Sequence, residues 1–251
     1  MIDHEFKWKH FAPEIIFWCL RWYGSTPMSY ANISDMLAER GISVNRSTIY
    51  RWFIEYSPAL RKKLHRYQFI RVDSSWQFDE TYVKVKGKWF YLYRAINKQG
   101  ETLDFYFSKK RNKYSAYQFL KRCLKYYPLD KQPKTLNTDK HSSYANAIAR
   151  LKKEGYLRKD VKQRQVKYLN NGIESDHSPI KKLIMATSGF KVQKRAWATI
   201  QGFESMRMLN KGQFDFWLRH DEPKTKVRDR SAFMNRLFNV EVFSSNIKSI
   251  Y

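Results

Sequence analysis

The chain runs to 251 residues, with 48 Lys or Arg against 23 Asp or Glu, a formal net charge of +25 and 43% hydrophobic residues. That hydrophobic share excludes a disordered polymer and suffices for one sizeable core plus a small second module. No apolar run approaches the roughly 18 residues that span a bilayer, and Cys19 and Cys123 form no CxxC pair, which leaves two reduced core thiols of a cytosolic protein rather than a zinc site or disulfide framework.

Residues 12–56 predict three short helices. In the first, Pro13 to Tyr23, Ile15, Ile16, Cys19, Leu20 and Tyr23 share one face. Gly24-Ser25-Thr26-Pro27 breaks it, Ser29 can cap a second helix, and Gly41 ends that one because glycine takes the left-handed conformation freely. A third helix spans about Arg46 to Tyr56. Helix, glycine turn and helix is the helix-turn-helix pattern. Arg46, Ser47, Thr48, Tyr50 and Arg51, around an inward Ile49, Trp52 and Phe53, suit base edges and phosphates. A plain three-helix bundle is the competing reading. The basic run Arg61-Lys62-Lys63-Leu64-His65-Arg66 reads as a connector.

The central segment predicts strands at 76–85, 88–96 and 101–107, separated by turns at Lys86-Gly87 and Asn97-Lys98-Gln99-Gly100, hence an antiparallel meander. A helix follows from Ser115 to Tyr126. Next come a short strand ending at Asp139, a helix from Ser142 or Ser143 to Gly155, and a strand from Val161 to Tyr168. Further helices begin near Asn171 and run from Ala196 to Asn210. The last has an apolar stripe of Trp197, Ile200, Phe203, Met206 and Leu209. This order gives a mixed α/β sheet with flanking helices, as in the ribonuclease H-like fold.

Residues 72–211 carry 30 basic and 12 acidic residues, so most of the charge excess lies on this sheet domain. A field of that sign gathers nucleic acid, and isolated acids within it are informative. Asp79 lies mid-strand, where carboxylates are depleted. Asp139 lies at the C-terminal end of a strand, where open sheets place their sites. Glu174 lies near a helix start. Three such carboxylates can hold two Mg²⁺ ions for in-line attack on a phosphodiester. Glu80 is expected on the opposite strand face from Asp79, as a structural or ion-paired group. Asp176 can support the metal ligands from behind, and His141 and His177 read as surface or core residues. Spacing alone is a weak guide here, since a long chain offers many triples of acids.

Several stretches together resemble the bacterial insertion-sequence transposases of the DDE type, specifically insertion sequence family six. They are Ser47-Thr48-Ile49-Tyr50-Arg51-Trp52, Asp79-Glu80-Thr81-Tyr82-Val83-Lys84-Val85, Tyr91-Leu92-Tyr93-Arg94-Ala95, Asn137-Thr138-Asp139-Lys140, and Tyr168-Leu169-Asn170-Asn171 with Ile173-Glu174 and Asp176-His177. The resemblance covers about residues 7–212. The family pattern of Asp, Asp, 34 intervening residues, Glu and a Lys seven positions later falls on Asp79, Asp139, Glu174 and Lys181. The resemblance implies a ribonuclease H-like catalytic domain behind a helix-turn-helix. It implies Mg²⁺ held by Asp79, Asp139 and Glu174, with Mn²⁺ able to substitute. It also implies double-stranded DNA partners (terminal inverted repeats and target), strand cleavage and transfer into cointegrates, and a cytoplasmic, nucleoid-associated bacterial enzyme. Two element ends must be processed together, so a homodimer or higher oligomer is expected; the 197–209 stripe is one candidate interface.

Pro179 lies between Glu174 and Lys181, and either kinks that helix or restarts it. The expected division is a helix-turn-helix module over 1–60, a basic linker over 61–75, the catalytic domain over 76–212 and a tail over 213–251. Two other functions fit the same pattern. One is a ribonuclease H-like nuclease or resolvase that cannot transfer strands. The other is a helix-turn-helix repressor whose sheet domain is only a dimerisation or effector module.

Overall fold

Alternating apolar and β-branched residues over 75–108 build three antiparallel strands in the computed structural model, which describes residues 6, 9–68, 74–139, 142–165, 171–214 and 227–240. β1 (Ser75–Val85) pairs with β2 (Lys88–Asn97), and β2 with β3 (Thr102–Ser108). The β1–β2 turn places Lys86 and Gly87 at positive φ, 48° and 76°, the hairpin geometry that suits right-handed strand twist. At the next turn, the Asn97 side chain accepts from the Glu101 amide and donates to the Glu101 carboxylate.

β4 (Thr135–Asn137) and β5 (Lys162–Arg164) add parallel to β1, giving the sheet order β3-β2-β1-β4-β5. Three antiparallel strands extended by parallel ones through helical crossovers make a ribonuclease H-like sheet. α4 (Lys113–Leu124) and α5 (Ser142–Lys153) cover one face, and Trp76, Phe78, Tyr93, Phe119, Leu120, Leu136, Tyr144 and Leu151 form its core. α6 (Asn171–Ala186) packs on β1 and β2. The final strand is shorter than the predicted Val161–Tyr168; residues 166–170, with the Tyr168-Leu169-Asn170 motif, lie outside the described residues, as do Lys140 and His141.

The described residues divide into two compact units, Met1–Gln68 with Gln201–Tyr251, and Phe69–Ile200. The first holds α1 (Pro13–Ser25), α2 (Tyr30–Ala38) and α3 (Arg46–His65), the C-terminal part of α7 (Gln193–Asn210), and α8 (Val227–Leu237). Ser29 and Asn32 cap α2 reciprocally, and the Asn45 side chain accepts from the Ser47 amide at the start of α3.

Three boundaries differ from the sequence expectation. α3 continues through His65, so residues 61–65 are helix and not linker. Leu60 and Leu64 extend the buried stripe of Trp52, Phe53 and Tyr56. Burying two leucines contributes about 1.5–3 kcal/mol each, which outweighs the roughly 3 kcal/mol cost of Pro58 inside the helix. Residues 201–212, expected in the catalytic domain, pack in the helical unit: Phe203 lies against Tyr23 and Phe53. The tail is structural in part, since Phe214, Phe233, Met234 and Phe238 are buried and Phe238 packs edge-on or tilted among Phe6, Phe17 and Tyr56.

The α7 stripe is likewise core and not a free interface. Ile200, Phe203, Met206 and Leu209 are buried, and Trp197 packs on Phe105 and Phe107. A helix buried around most of its circumference needs no one-sided apolar face. Among the described residues, no helix is long and apolar enough to cross a membrane.

Candidate active site

The sheet brings Asp79 to the middle of β1, and Asp139 follows the C-terminal end of β4, the neighbouring parallel strand. One carboxylate oxygen each from Asp79, Glu80 and Asp139 lies within 4.8 Å of the others. Glu80 is the ion-paired group expected on the other strand face, and its carboxylate also reaches the cluster. Its residue is buried where Asp79 is half-exposed, as alternation requires. Its longer side chain nevertheless meets Arg111, whose guanidinium also pairs with Asp139.

Glu174 sits exposed on the first turn of α6. It is not one of the three grouped carboxylates, but its charge acts on Asp79. Two contacts hold the start of α6 against the sheet. The Gln77 side-chain oxygen accepts from the Ile173 amide at 3.0 Å, satisfying one of the open donors of the helix N-terminus. Gly172 makes room for it, since a Cβ there would lie 2.8 Å from that oxygen. One turn on, the fully buried Arg94 donates to the Asp176 carboxylate at 2.7 Å and to its carbonyl at 3.0 Å. Arg94 is the β2 partner of Asp79 in the strand register. Asp176 thus ties α6 to the sheet behind Glu174, and its carboxylate is committed to Arg94.

His177, on the same helix, is buried with Nδ1 3.7 Å from an Asp79 oxygen. It is buried, as one of the two readings of the sequence had it; its spacing of three from Glu174 was the available hint of a place near the site, since such residues neighbour one another on a helix. Arg111 and Gln77 were also missed. Arg111 looks like one more base in Lys109-Lys110-Arg111, and Gln77 like an ordinary strand residue. Pro179 lies within a single continuous helix, so Glu174 and Lys181 share α6, with Lys181 exposed.

The electrostatics are those of crowded anions. Burial, then the charges of Asp139 and Glu174, raise the Asp79 carboxyl to about 6 against the pull of the Glu80 backbone amide. Burial, then Asp139 and Asp79, raise Glu80 to about 7 despite Arg111. The second Glu80 oxygen, Oε1, is buried and accepts no hydrogen bond among the described residues. An orphaned anionic oxygen beside two further carboxylates is a set of hard ligands, so these residues fit a small divalent cation.

In the helical unit, Arg46, Ser47 and Arg51 are exposed along α3, and Thr48 and Tyr50 are half-buried, Tyr50 with its ring edge against Tyr30.

Residues 73–213 match the family model described as a DDE domain, of the IS240 transposase type. The transposase for insertion sequence-like element IS431mec of Staphylococcus aureus is 39% identical over 209 residues, 82% of this chain and 88% of that protein. The transposase for element IS257 in transposon Tn4003, also from Staphylococcus aureus, is 38% identical over the same shares. An uncharacterized protein of Yersinia pseudotuberculosis is 70% identical over 92 residues, 37% of this chain and 86% of that protein. Among solved structures, the catalytic core domain of BIV integrase is similar at a TM-score of 0.40 and 16% identity, over 55% of this chain and 84% of that one. With a DDE-domain match over more than half its length and these transposase relatives along most of it, the chain belongs to the DDE transposases of insertion sequences, family six.

Proposed function

We propose that this transposase binds the terminal inverted repeats of its own element and transfers the cleaved ends to target DNA, forming cointegrates. Asp79, Asp139 and Glu174 are its catalytic carboxylates, holding Mg²⁺ or Mn²⁺. The observation that carries the reading is the meeting of Asp79 and Asp139 with the orphaned Glu80 oxygen, beside the helix that bears Glu174. Bound metal would supply charge neutralisation and activation of an oxygen nucleophile. The chain's own residues set the geometry. Gln77 and the Arg94–Asp176 pair fix α6, so that Glu174 faces the same reacting phosphate as Asp79 and Asp139.

In cleavage, water attacks phosphorus and the 3′ oxygen leaves with a proton. In joining, that 3′-hydroxyl attacks a target phosphate and displaces the next 3′ oxygen. Lys181, two helical turns beyond Glu174 and exposed, contacts the DNA backbone as a cation. End recognition belongs to α3, through Arg46, Ser47, Thr48, Tyr50 and Arg51. The acting form is a dimer or larger, because two ends are processed in one complex.

The test is strand transfer from pre-cut ends with Mg²⁺, alongside gel-shift affinity for those ends. Glu174→Gln and Asp79→Asn exchange a hard anionic ligand for a neutral amide. Each is expected to lower joining by roughly a thousandfold or more, which is about 4 kcal/mol of activation energy. End affinity should stay unchanged or rise as a negative charge leaves. Near-normal joining by the Glu174 variant would remove that residue from the set. Cleavage without joining by the unsubstituted protein would favour the nuclease reading, and end binding with no metal-dependent nicking the repressor.

A further inference from the structure

Arg111 lies in the short segment between β3 and α4. Its Nη2 donates to Asp139 Oδ2 at 2.6 Å and to Glu80 Oε2 at 3.3 Å, while Nη1 reaches the Tyr82 hydroxyl at 3.5 Å. The two carboxylates differ in setting. The Glu80 side chain is 1% exposed, Asp139 is 29% and Arg111 is 25%. Glu80 is therefore a buried anchor, and Asp139 is the end of the pair that solvent and DNA can reach.

A guanidinium and a divalent cation compete for the same carboxylate lone pairs. They also repel each other, so a metal on Asp139 weakens the hold of Arg111 on that carboxylate. The arginine's planar fork suits phosphate as well as carboxylate, which a lysine would match less well. Near this cluster, the one anion that arrives with the substrate is a DNA phosphate.

We propose that Arg111 is a built-in competitor for the metal: it holds the Asp139 carboxylate until the cation takes it, and then, still anchored by Glu80, turns to a phosphate oxygen of the bound DNA. The inference rests on the proposed metal role of Asp139. It gives the buried Glu80 oxygen Oε2 a role, since Glu80 retains Arg111 in both states. It also makes metal and DNA binding cooperative. DNA that draws Arg111 away frees Asp139, and metal that displaces Arg111 readies it for DNA.

The experiment is titration calorimetry of Mn²⁺ into the full-length, DNA-free protein, with joining of pre-cut ends measured at saturating Mn²⁺. Arg111→Gln should bind Mn²⁺ about tenfold more tightly while joining falls at least about tenfold, because one competitor and one phosphate donor have gone. Arg111→Lys should fall between, its single ammonium spanning the two carboxylates less well. A folded Arg111→Gln protein with unchanged or weaker Mn²⁺ affinity overturns the proposal. If that variant does not fold, with Glu80 left buried beside no cation, the double variant Glu80→Gln with Arg111→Gln removes both charges. It is compared with Glu80→Gln alone; tighter Mn²⁺ binding in the double supports the proposal and equal affinity refutes it. Asp139→Asn separates the two levels of inference. Mn²⁺ binding unaffected by that change would sink the metal role of Asp139 itself, whatever Arg111 does.

Discussion

The two units of this transposase are stabilised by opposite means. The helical unit is held by rings: Phe6, Phe17, Tyr56 and Phe238 in one group, Tyr23, Phe53 and Phe203 in another, with Arg46 and Arg51 exposed. The sheet unit has an equally apolar core on its α4–α5 side. Across β1 and β2, however, it keeps Arg94, Asp176 and Glu80 buried and crowds Asp79 and Asp139 together. Aromatic packing is stabilising whatever the solution contains. Crowded carboxylates are not, and their balance changes with cation and pH. Stability in the sheet unit is thus partly given up to a site, whereas in the helical unit the residues proposed to meet DNA lie outside the core.

Substitutions can break that contrast. The largest effect is expected at the Arg94–Asp176 pair. Asp176→Ala takes the carboxylate from a fully buried guanidinium, and losing one partner of a buried pair costs about 3–5 kcal/mol. Urea unfolding monitored by hydrogen exchange should show that loss in β1, β2 and α6 and leave α1 to α3 protected. Replacing both partners by apolar residues, Arg94→Met with Asp176→Leu, should restore most of the stability but not the joining activity. A loss shared equally by the helical unit would show that the units do not differ in this way.

Metal gives the next effect. Asp79 and Glu80 titrate above ordinary carboxylates, near 6 and 7. A carboxyl raised on folding contributes stability below its unfolded pKa and loses that contribution as pH rises through the folded value. The metal-free sheet unit should therefore weaken between about pH 4 and pH 7. Mg²⁺ should reverse this at neutral pH, by about 2.7 kcal/mol at a hundredfold excess over its dissociation constant. The check is hydrogen exchange at pH 7.5 with and without Mg²⁺. Protection that rises equally in α1–α3 would point to a general salt effect.

On the helical side the expected effects are smaller and appear only with DNA. Arg46→Ala and Arg51→Ala, both exposed, should leave thermal stability unchanged. Each should weaken discrimination between the specific end and a scrambled one by about 1–3 kcal/mol if it reads a base, or weaken both alike if it meets phosphate. Identical footprints and affinities in both variants would remove α3 as the recognition helix.

The same contrast governs what the sequence could disclose. The meander was legible because alternation and turn glycines are local, and the cap of α2 because Ser29 acts within a few residues. Asp79, Asp139 and Glu174 were singled out as acids in unusual places, and the family resemblance sharpened the choice. What escaped was long-range. Arg111 meets Asp139 across 28 positions, Gln77 meets Ile173 across 96, and Arg94 meets Asp176 across 82. No periodicity marks such partners. Glu80 is the ion-paired group the alternation indicated, but its nearness to Asp79 and Asp139 was not legible, because alternation fixes where a Cβ points and not where a long side chain ends. The C-terminal residues were unreadable for a similar reason: Phe214 and Phe238 show their purpose only when packed against helices from the other end of the chain.

The smallest change isolates positioning from stability. Gly172→Ala gains about 1 kcal/mol of helix propensity in α6. Its new methyl, however, would lie 2.8 Å from the Gln77 oxygen, so that flexible side chain must withdraw and release the Ile173 amide. A hydrogen bond of that kind is worth about 0.5–1.5 kcal/mol, so the net stability change is expected to be close to zero. The rate should behave differently. With its N-terminal tether gone, the first turn of α6 is free to fray, and Glu174 sits on that turn. A displacement of order 1 Å at a catalytic group is enough for up to about a hundredfold loss. Joining should therefore drop about ten- to a hundredfold at unchanged unfolding midpoint and unchanged end affinity, and Gln77→Ala should reproduce the drop. The double variant should be no slower than either single one, since both remove the same hydrogen bond. Additive losses would mean that Gln77 and Gly172 act on the site by separate routes, and full activity in both single variants would mean that Asp176 alone suffices to hold Glu174 in place.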